Sequence, residues 1–316
     1  MRTRLVFLFI LALSACAEHN TPVADLSKIV PAAGPRDIRV STVDLVSDRR
    51  DTIPVMIWHP GQDGATSEAL PVVLFSTGAF SSPEKYDALL KRWAQAGYAV
   101  LAPLHVDSER WTGPKPEKQT EGLAWRRLDM IATIDAIEQI EMEIDQALSI
   151  SEVAAAGHSF GAMLAQVLGG AQPGPLAGPI PRVVPVSVAA IIAISPPGPI
   201  PGYIEQAGWA RMDAPQLLTT GSADIVPQMV PEWQLHLAGH YSHSGKSWAL
   251  VQQGVDHYFG NVIGRTEYPG PPQTEAFDEM VDITTAFLEA HVRRDAAAMA
   301  TFIKPLPTDG FGLRGQ

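Results

Sequence analysis

The sequence predicts an α/β fold, a mostly parallel central sheet with helices on both faces. Three observations predict it. Strand-like segments alternate with helix-period segments, as crossover connections between parallel strands require. The run at 70–75 (LPVVLF) is apolar throughout, which marks a strand buried on both faces. At 316 residues, with 46% hydrophobic and 18% charged residues, the chain can build one large core.

Residues 37–46 and 52–59 alternate apolar and polar positions around Ser47-Asp48-Arg49-Arg50-Asp51, the pattern of an antiparallel pair. The strand at 70–75 ends in Ser76-Thr77-Gly78. Residues 83–96 carry Tyr86, Leu89, Leu90 and Trp93 on one helical stripe. A strand at 98–103 and a long amphipathic helix at 122–140 follow. Residues 153–156 form a strand, and 160–168 the helix after it. Three more strands fall at 188–194, 216–219 and 247–252, and a helix at 273–294 closes the pattern. Two Gly- and Pro-rich stretches, 169–185 and 195–208, read as long loops able to wall a pocket. There is no internal repeat. These segments give one domain over 37–295 and a C-terminal tail over 296–316.

Lys and Arg number 23 against 34 Asp and Glu, a formal charge of −11. An acidic chain with no basic run lacks the charge that nucleic-acid binding requires. One cysteine excludes an intrachain disulfide, and no apolar run reaches the length of a membrane span. The N-terminus is distinctive. Arg2 and Arg4 precede a short apolar stretch, which ends Leu13-Ser14-Ala15-Cys16. This resembles a bacterial lipoprotein signal, and the resemblance implies loss of residues 1–15 and lipidation of Cys16. Acyl chains partition at about 0.8 kcal/mol per buried CH₂, so several anchor stably. Residue 17 is alanine rather than the aspartate of inner-membrane retention, which favours the periplasmic face of the outer membrane. Residues 16–36 then serve as a lipidated, flexible tether. An ordinary secretory signal cut nearby is the alternative.

The chemistry centres on Gly157-His158-Ser159-Phe160-Gly161, between a predicted strand and a predicted helix. That context fits a nucleophile elbow. Gly157 and Gly161 allow the strand and helix to approach, and the turn exposes the Ser159 hydroxyl. A serine nucleophile needs a base and an orienting carboxylate. Asp224 follows the strand at 216–219, and His257 follows the strand at 247–252. Asp256 is the rival acid, but it directly precedes the histidine. His158 packs behind the serine. An oxyanion would be held by the N–H of Phe160 and by that of Ala79, with Phe80 as the neighbouring choice. Phe80, His105, Trp111, Tyr203 and Trp209 are candidate pocket residues. His236, His240 and His243 have metal-like spacing, but with no acidic partner in sequence they read as a solvated histidine face. No metal or organic cofactor is called for. Arg126, Arg127 and Asp129 read as a structural ion pair or solvated face.

Residues 70–108, the elbow GHSFGA and the segment GVDHYFG resemble the α/β-hydrolase superfamily, most of all its dienelactone-hydrolase and platelet-activating-factor-acetylhydrolase branch, near the cutinase-type polyester hydrolases. The resemblance implies the α/β-hydrolase fold, a Ser159–Asp224–His257 triad and hydrolysis of a small-molecule or lipid-like carboxylic ester. Dienelactone hydrolases proper use a cysteine nucleophile, and Ser159 argues against that activity. A thioesterase, or an envelope lipoprotein using the fold as a binding scaffold, are the alternatives.

Overall fold

The computed structural model describes residues 37–47, 50–61, 68–117, 121–177 and 185–315. Cys16, the signal segment and the tether lie outside these residues. Nine strands form one sheet in the order β1-β2-β4-β3-β5-β6-β7-β8-β9. They are β1 (Ile38–Ser47), β2 (Arg50–Pro60), β3 (Leu70–Ser76), β4 (Ala99–Pro103), β5 (Leu148–His158), β6 (Ser187–Ile194), β7 (Gln216–Gly221), β8 (Ser247–Gln252) and β9 (Gly312–Gly315). β1 and β2 are antiparallel, as their alternating pattern predicts, and β2 runs antiparallel to β4. From β4 through β8 every pairing is parallel. The α/β prediction holds.

The helices are α1 (Asp87–Gln95), α2 (Gly122–Asp135), α3 (Ile137–Ile144), α4 (Phe160–Leu168), α5 (Ala238–Ser242), α6 (Thr274–His291) and α7 (Ala296–Ile303). Strand period sorts the core into two faces. On β3, Val73 and Phe75 pack with Leu89 and Trp93 of α1 and Phe287 of α6, while Val72 and Leu74 pack with Met130 of α2 and Met163 of α4. Each such side chain contributes about 1.5–3 kcal/mol by leaving water. Among the described residues no helix is long and apolar enough to cross a membrane.

Two elements differ from the sequence expectation. The helix expected over 122–140 is two helices, broken at Ala136, where φ −96° and ψ 20° leave the helical region. The break lets α2 pack on β4 and α4 while α3 turns along β1. The stretch read as a tail over 296–316 supplies α7 and β9. Asp295 caps α7 by accepting the Ala298 N–H at 2.8 Å. Phe302 of α7 meets Trp248 and Phe287 at ring-centroid distances of 5.5 and 5.3 Å. β9 then pairs antiparallel along β8, which covers an edge of the sheet.

The two Gly- and Pro-rich loops bond to each other beside α4. Gly174 and Leu176 N–H donate to Tyr203 and Gly202 carbonyls at 2.7 Å, and Gln172 N–H to Gly208 at 3.0 Å.

Candidate active site

The carboxyl ends of β3, β5, β7 and β8 bring the sequence-selected residues to one edge of the sheet. β5 turns directly into α4 at Ser159, whose φ of 55° and ψ of −120° lie where a side chain is strained. Glycine is required on both sides. A Cβ on Gly157 would collide with the Gly161 carbonyl, and one on Gly161 with the carbonyls of Ser76 and Thr77. This is nucleophile-elbow geometry.

Asp224 and His257 meet. The Nδ1–H of His257 donates to Asp224 Oδ1 at 2.6 Å, and Thr220 Oγ1 donates to Oδ2 at 3.0 Å. Asp224 is fully buried. Burial alone would push its carboxyl up, but the hydrogen bonds from His236 and His257 hold it far below the usual carboxylate range. Asp256, the rival, braces its own loop instead: Oδ1 accepts the Tyr258 and Gly260 N–H groups at 2.9 Å. With Nδ1 donating, the Nε2 lone pair of His257 is the basic end. Among the described residues, neither Ser159 Oγ nor His257 Nε2 makes a hydrogen bond. Catalytic hydrogen bonds are often long in ligand-free enzymes and tighten around the reacting group.

His158 ties the pieces together. Its ring is fully buried, 4.7 Å from the His257 ring between centroids. Its Nε2–H donates to the His257 carbonyl at 2.8 Å, since a carbonyl can only accept. Its Nδ1 therefore accepts from Tyr86 OH at 2.9 Å, and that oxygen accepts the Gly78 N–H at 2.9 Å. A Cβ on Gly78 would stand 3.0 Å from Tyr86 Oη and 3.6 Å from Ser159 Cβ, so the loop passes directly against the serine.

Among the described residues, the Ala79 and Phe160 N–H groups donate to no protein acceptor. Phe80 N–H is engaged by Asp107 Oδ2 at 3.3 Å, which leaves Ala79 as the donor of this loop. The loop's carbonyls are held from behind by Arg126, which donates to Thr77 O at 2.5 Å and Gly78 O at 3.0 Å. The same guanidinium is paired bidentately with Asp107 at 2.8 and 2.7 Å. Against the desolvation of burial, Arg126 keeps the Asp107 carboxyl well below its ordinary value.

Phe80 is exposed, and the Tyr203 ring lies 6.1 Å from that of Phe160, the residue after Ser159. His105 is not a pocket residue. It is fully buried, with Nδ1–H donating to Asp129 Oδ2 at 2.9 Å and Nε2 accepting from Ser76 Oγ at 3.0 Å. Trp209 is core too, its Nε1–H satisfied by Gln166 Oε1 at 2.9 Å. Trp111 packs under the Arg50 guanidinium at 4.2 Å. Asp129 pairs with Arg50 at 2.9 Å, not with its helix neighbours Arg126 and Arg127.

The solvated histidine face is also corrected. The residues from His236 to His243 form a 3₁₀ turn followed by α5, and all three histidines are buried. They diverge to separate partners. His236 Nε2 lies 2.9 Å from Asp224 Oδ1, His240 Nδ1 lies 2.9 Å from Ser247 Oγ, and His243 Nε2 donates to Ala214 O at 3.0 Å. Asp224, His236 and His257 do cluster, but both rings meet the carboxylate directly, so its lone pairs face N–H groups.

No protein-family model matches the chain, and no curated protein is detectably similar to it in sequence. Among solved structures it is similar to a "putative dienelactone hydrolase" from Klebsiella pneumoniae subsp. pneumoniae. The TM-score is 0.55 at 15% identity, over 81% of this chain and all of that one. The chain has the α/β-hydrolase fold.

Within this α/β-hydrolase fold, sequence reasoning missed Tyr86, Asp107, Arg126 and His236. Arg126 showed only an i, i+3 neighbour in Asp129, while its partner, Asp107, comes from the segment after β4.

Burial also sets the response to acid. His158 is pushed down to about 3, and His240 and His291 to about 4, by desolvation above all. An unfolded histidine takes its proton near 6.5. Between the two values the unfolded chain holds more protons, so stability falls as pH falls. Each such group contributes a slope of about 1.4 kcal/mol per pH unit in that window. His236, raised by its bonds to Asp224 despite burial, exchanges its stabilising proton above pH 6.5 and so adds no slope within this window. The urea midpoint is therefore expected to drop steadily from pH 6.5 to pH 4.5. A midpoint that is flat over this range would contradict neutral burial of these rings.

Proposed function

We propose that this chain is a serine-dependent carboxylic ester hydrolase that acts through an acyl-enzyme and is anchored to the bacterial envelope by lipid on Cys16. The observation that carries the catalytic reading is the 2.6 Å hydrogen bond from His257 to a buried Asp224 beside a strained serine elbow. A binding scaffold has no need of this combination.

In this reading Ser159 Oγ attacks the ester carbonyl carbon while His257 Nε2 takes the hydroxyl proton. Asp224 fixes the tautomer of His257 and stabilises the imidazolium. The carbonyl π electrons move onto oxygen, and the Ala79 and Phe160 N–H groups donate to the oxyanion; each such donor is worth on the order of 3 kcal/mol in the transition state. The tetrahedral intermediate collapses, the alkoxide leaves with the proton from His257, and an ester to Ser159 remains. Water, deprotonated by His257, then attacks that ester; the second tetrahedral intermediate collapses, the acid is released, and Ser159 Oγ leaves with the proton returned by His257. The helix dipole of α4 favours the charge developing at its N-terminus. Nothing in these steps calls for a metal or organic cofactor.

The test is a fluorophosphonate probe on the full chain, with the adduct mapped by mass spectrometry. The expected adduct is on Ser159. Labelling on another residue, or undiminished labelling of Ser159→Ala, would refute the reading.

A further inference from the structure

We infer that His236 is a positively charged imidazolium that shares the acid of the proposed triad with His257, and so acts as a positioning residue for the ester hydrolysis proposed above. The inference rests on that reading for its catalytic consequence and on geometry alone for its charge. Both ring nitrogens of His236 face acceptors. Nδ1 is 2.6 Å from the Pro196 carbonyl. Nε2 is 2.9 Å from Asp224 Oδ1 and 3.1 Å from the Asp224 carbonyl. A neutral imidazole has one N–H and one lone pair, so either tautomer would aim a lone pair at an oxygen lone pair. In a ring only 1% exposed, no water relieves that clash. The doubly protonated form satisfies both contacts, and a carboxylate is already present to balance its charge.

The surroundings contain one compensating charge. The groups facing His236 are Asp224, the His257 ring stacked 5.9 Å away, and, further off, His158. Tyr258 faces the same carboxylate from the His257 loop, and Thr220 closes its other oxygen. Burial holds His158 and Tyr258 neutral. The buried set is therefore balanced before catalysis and gains one positive charge when His257 takes the serine proton. In an ordinary triad the same step neutralises a lone carboxylate. His236 thus opposes protonation of His257 in the resting state and makes it a readier proton donor to the leaving alkoxide. It also anchors Asp224 to the segment at Pro196, which follows β6.

Two measurements test this. In ¹⁵N-labelled full-length protein at pH 8, His236 is expected to show two protonated ring nitrogens, each coupled to a slowly exchanging proton. One protonated and one bare nitrogen would overturn the inference, whether or not the protein hydrolyses esters. In His236→Gln, the acidic limb of kcat/KM for a p-nitrophenyl ester is expected to move to higher pH by about one unit or more, given one charge removed at this distance. A residue that only fills space would lower activity equally at every pH, so an unmoved limb would also overturn the inference. Failure of Ser159 to take the fluorophosphonate probe would strike the esterase reading and leave the nitrogen signals to decide the charge.

Discussion

Ser159→Ala is expected to lower kcat/KM toward a short-chain p-nitrophenyl ester by on the order of 10⁴-fold or more, because no second nucleophile stands in the elbow. The change should fall on kcat, since the Phe160 and Ala79 N–H groups and the pocket walls are untouched. Stability supplies an independent check. Ser159 holds φ at 55°, and alanine keeps the Cβ that makes this conformation costly. Glycine removes it. Strain of this kind costs about 1–3 kcal/mol, partly offset by glycine's greater freedom when unfolded. Ser159→Gly should therefore be as inactive as the alanine variant but more stable by about 1 kcal/mol in urea titration. Equal activity of wild type and Ser159→Ala would remove the mechanism, and equal stability of the two variants would remove the strained elbow.

Arg126→Met is expected to produce the largest loss of stability among the polar positions. The side chain is fully buried. Its removal leaves Asp107 without its cation, takes the guanidinium donor from the Thr77 carbonyl, and leaves the Gly78 carbonyl with the Ser81 N–H alone. Breaking one half of a buried pair typically costs about 3–5 kcal/mol. The loop that carries the Ala79 N–H then loses the contacts that aim it. Arg126→Lys separates the two effects. Lysine keeps the charge but lacks the fork that reaches Asp107 and both carbonyls together. It should fold, with KM near wild type and kcat reduced by about 10²-fold, the size expected for a displaced oxyanion donor. If Arg126→Lys melts as wild type and keeps full kcat, the loop does not depend on this guanidinium.

Much of this architecture was legible because its signals are local. The run from Leu70 to Phe75 reads as a buried strand, and α4 spans the residues its pattern predicts. The glycines flanking Ser159 announce a tight turn, and Asp224 and His257 each lie in the loop that follows a strand. What was illegible depends on contacts far along the chain. The spacing from His236 to His243 suggested one helical face, but a 3₁₀ turn rotates the rings apart, and the partner of His236 arrives from the end of β7. Trp209 and His105 sit in segments that look like pocket rim, yet Gln166 and Asp129 draw them inward. α7 and β9 were missed because a cap, an eight-residue helix and a four-residue edge strand carry little periodicity of their own.

The hydrogen-bonded run through Tyr86 and His158 has a consequence for engineering. Three segments distant in sequence are coupled through one ring and one phenol oxygen: the turn at Gly78, the elbow and the loop bearing His257. They are therefore not interchangeable parts. Transplanting any one of them into another scaffold, or recombining homologous chains between residues 86 and 158, would leave donors and acceptors mismatched at the junction. The exchangeable unit is the trio, moved together.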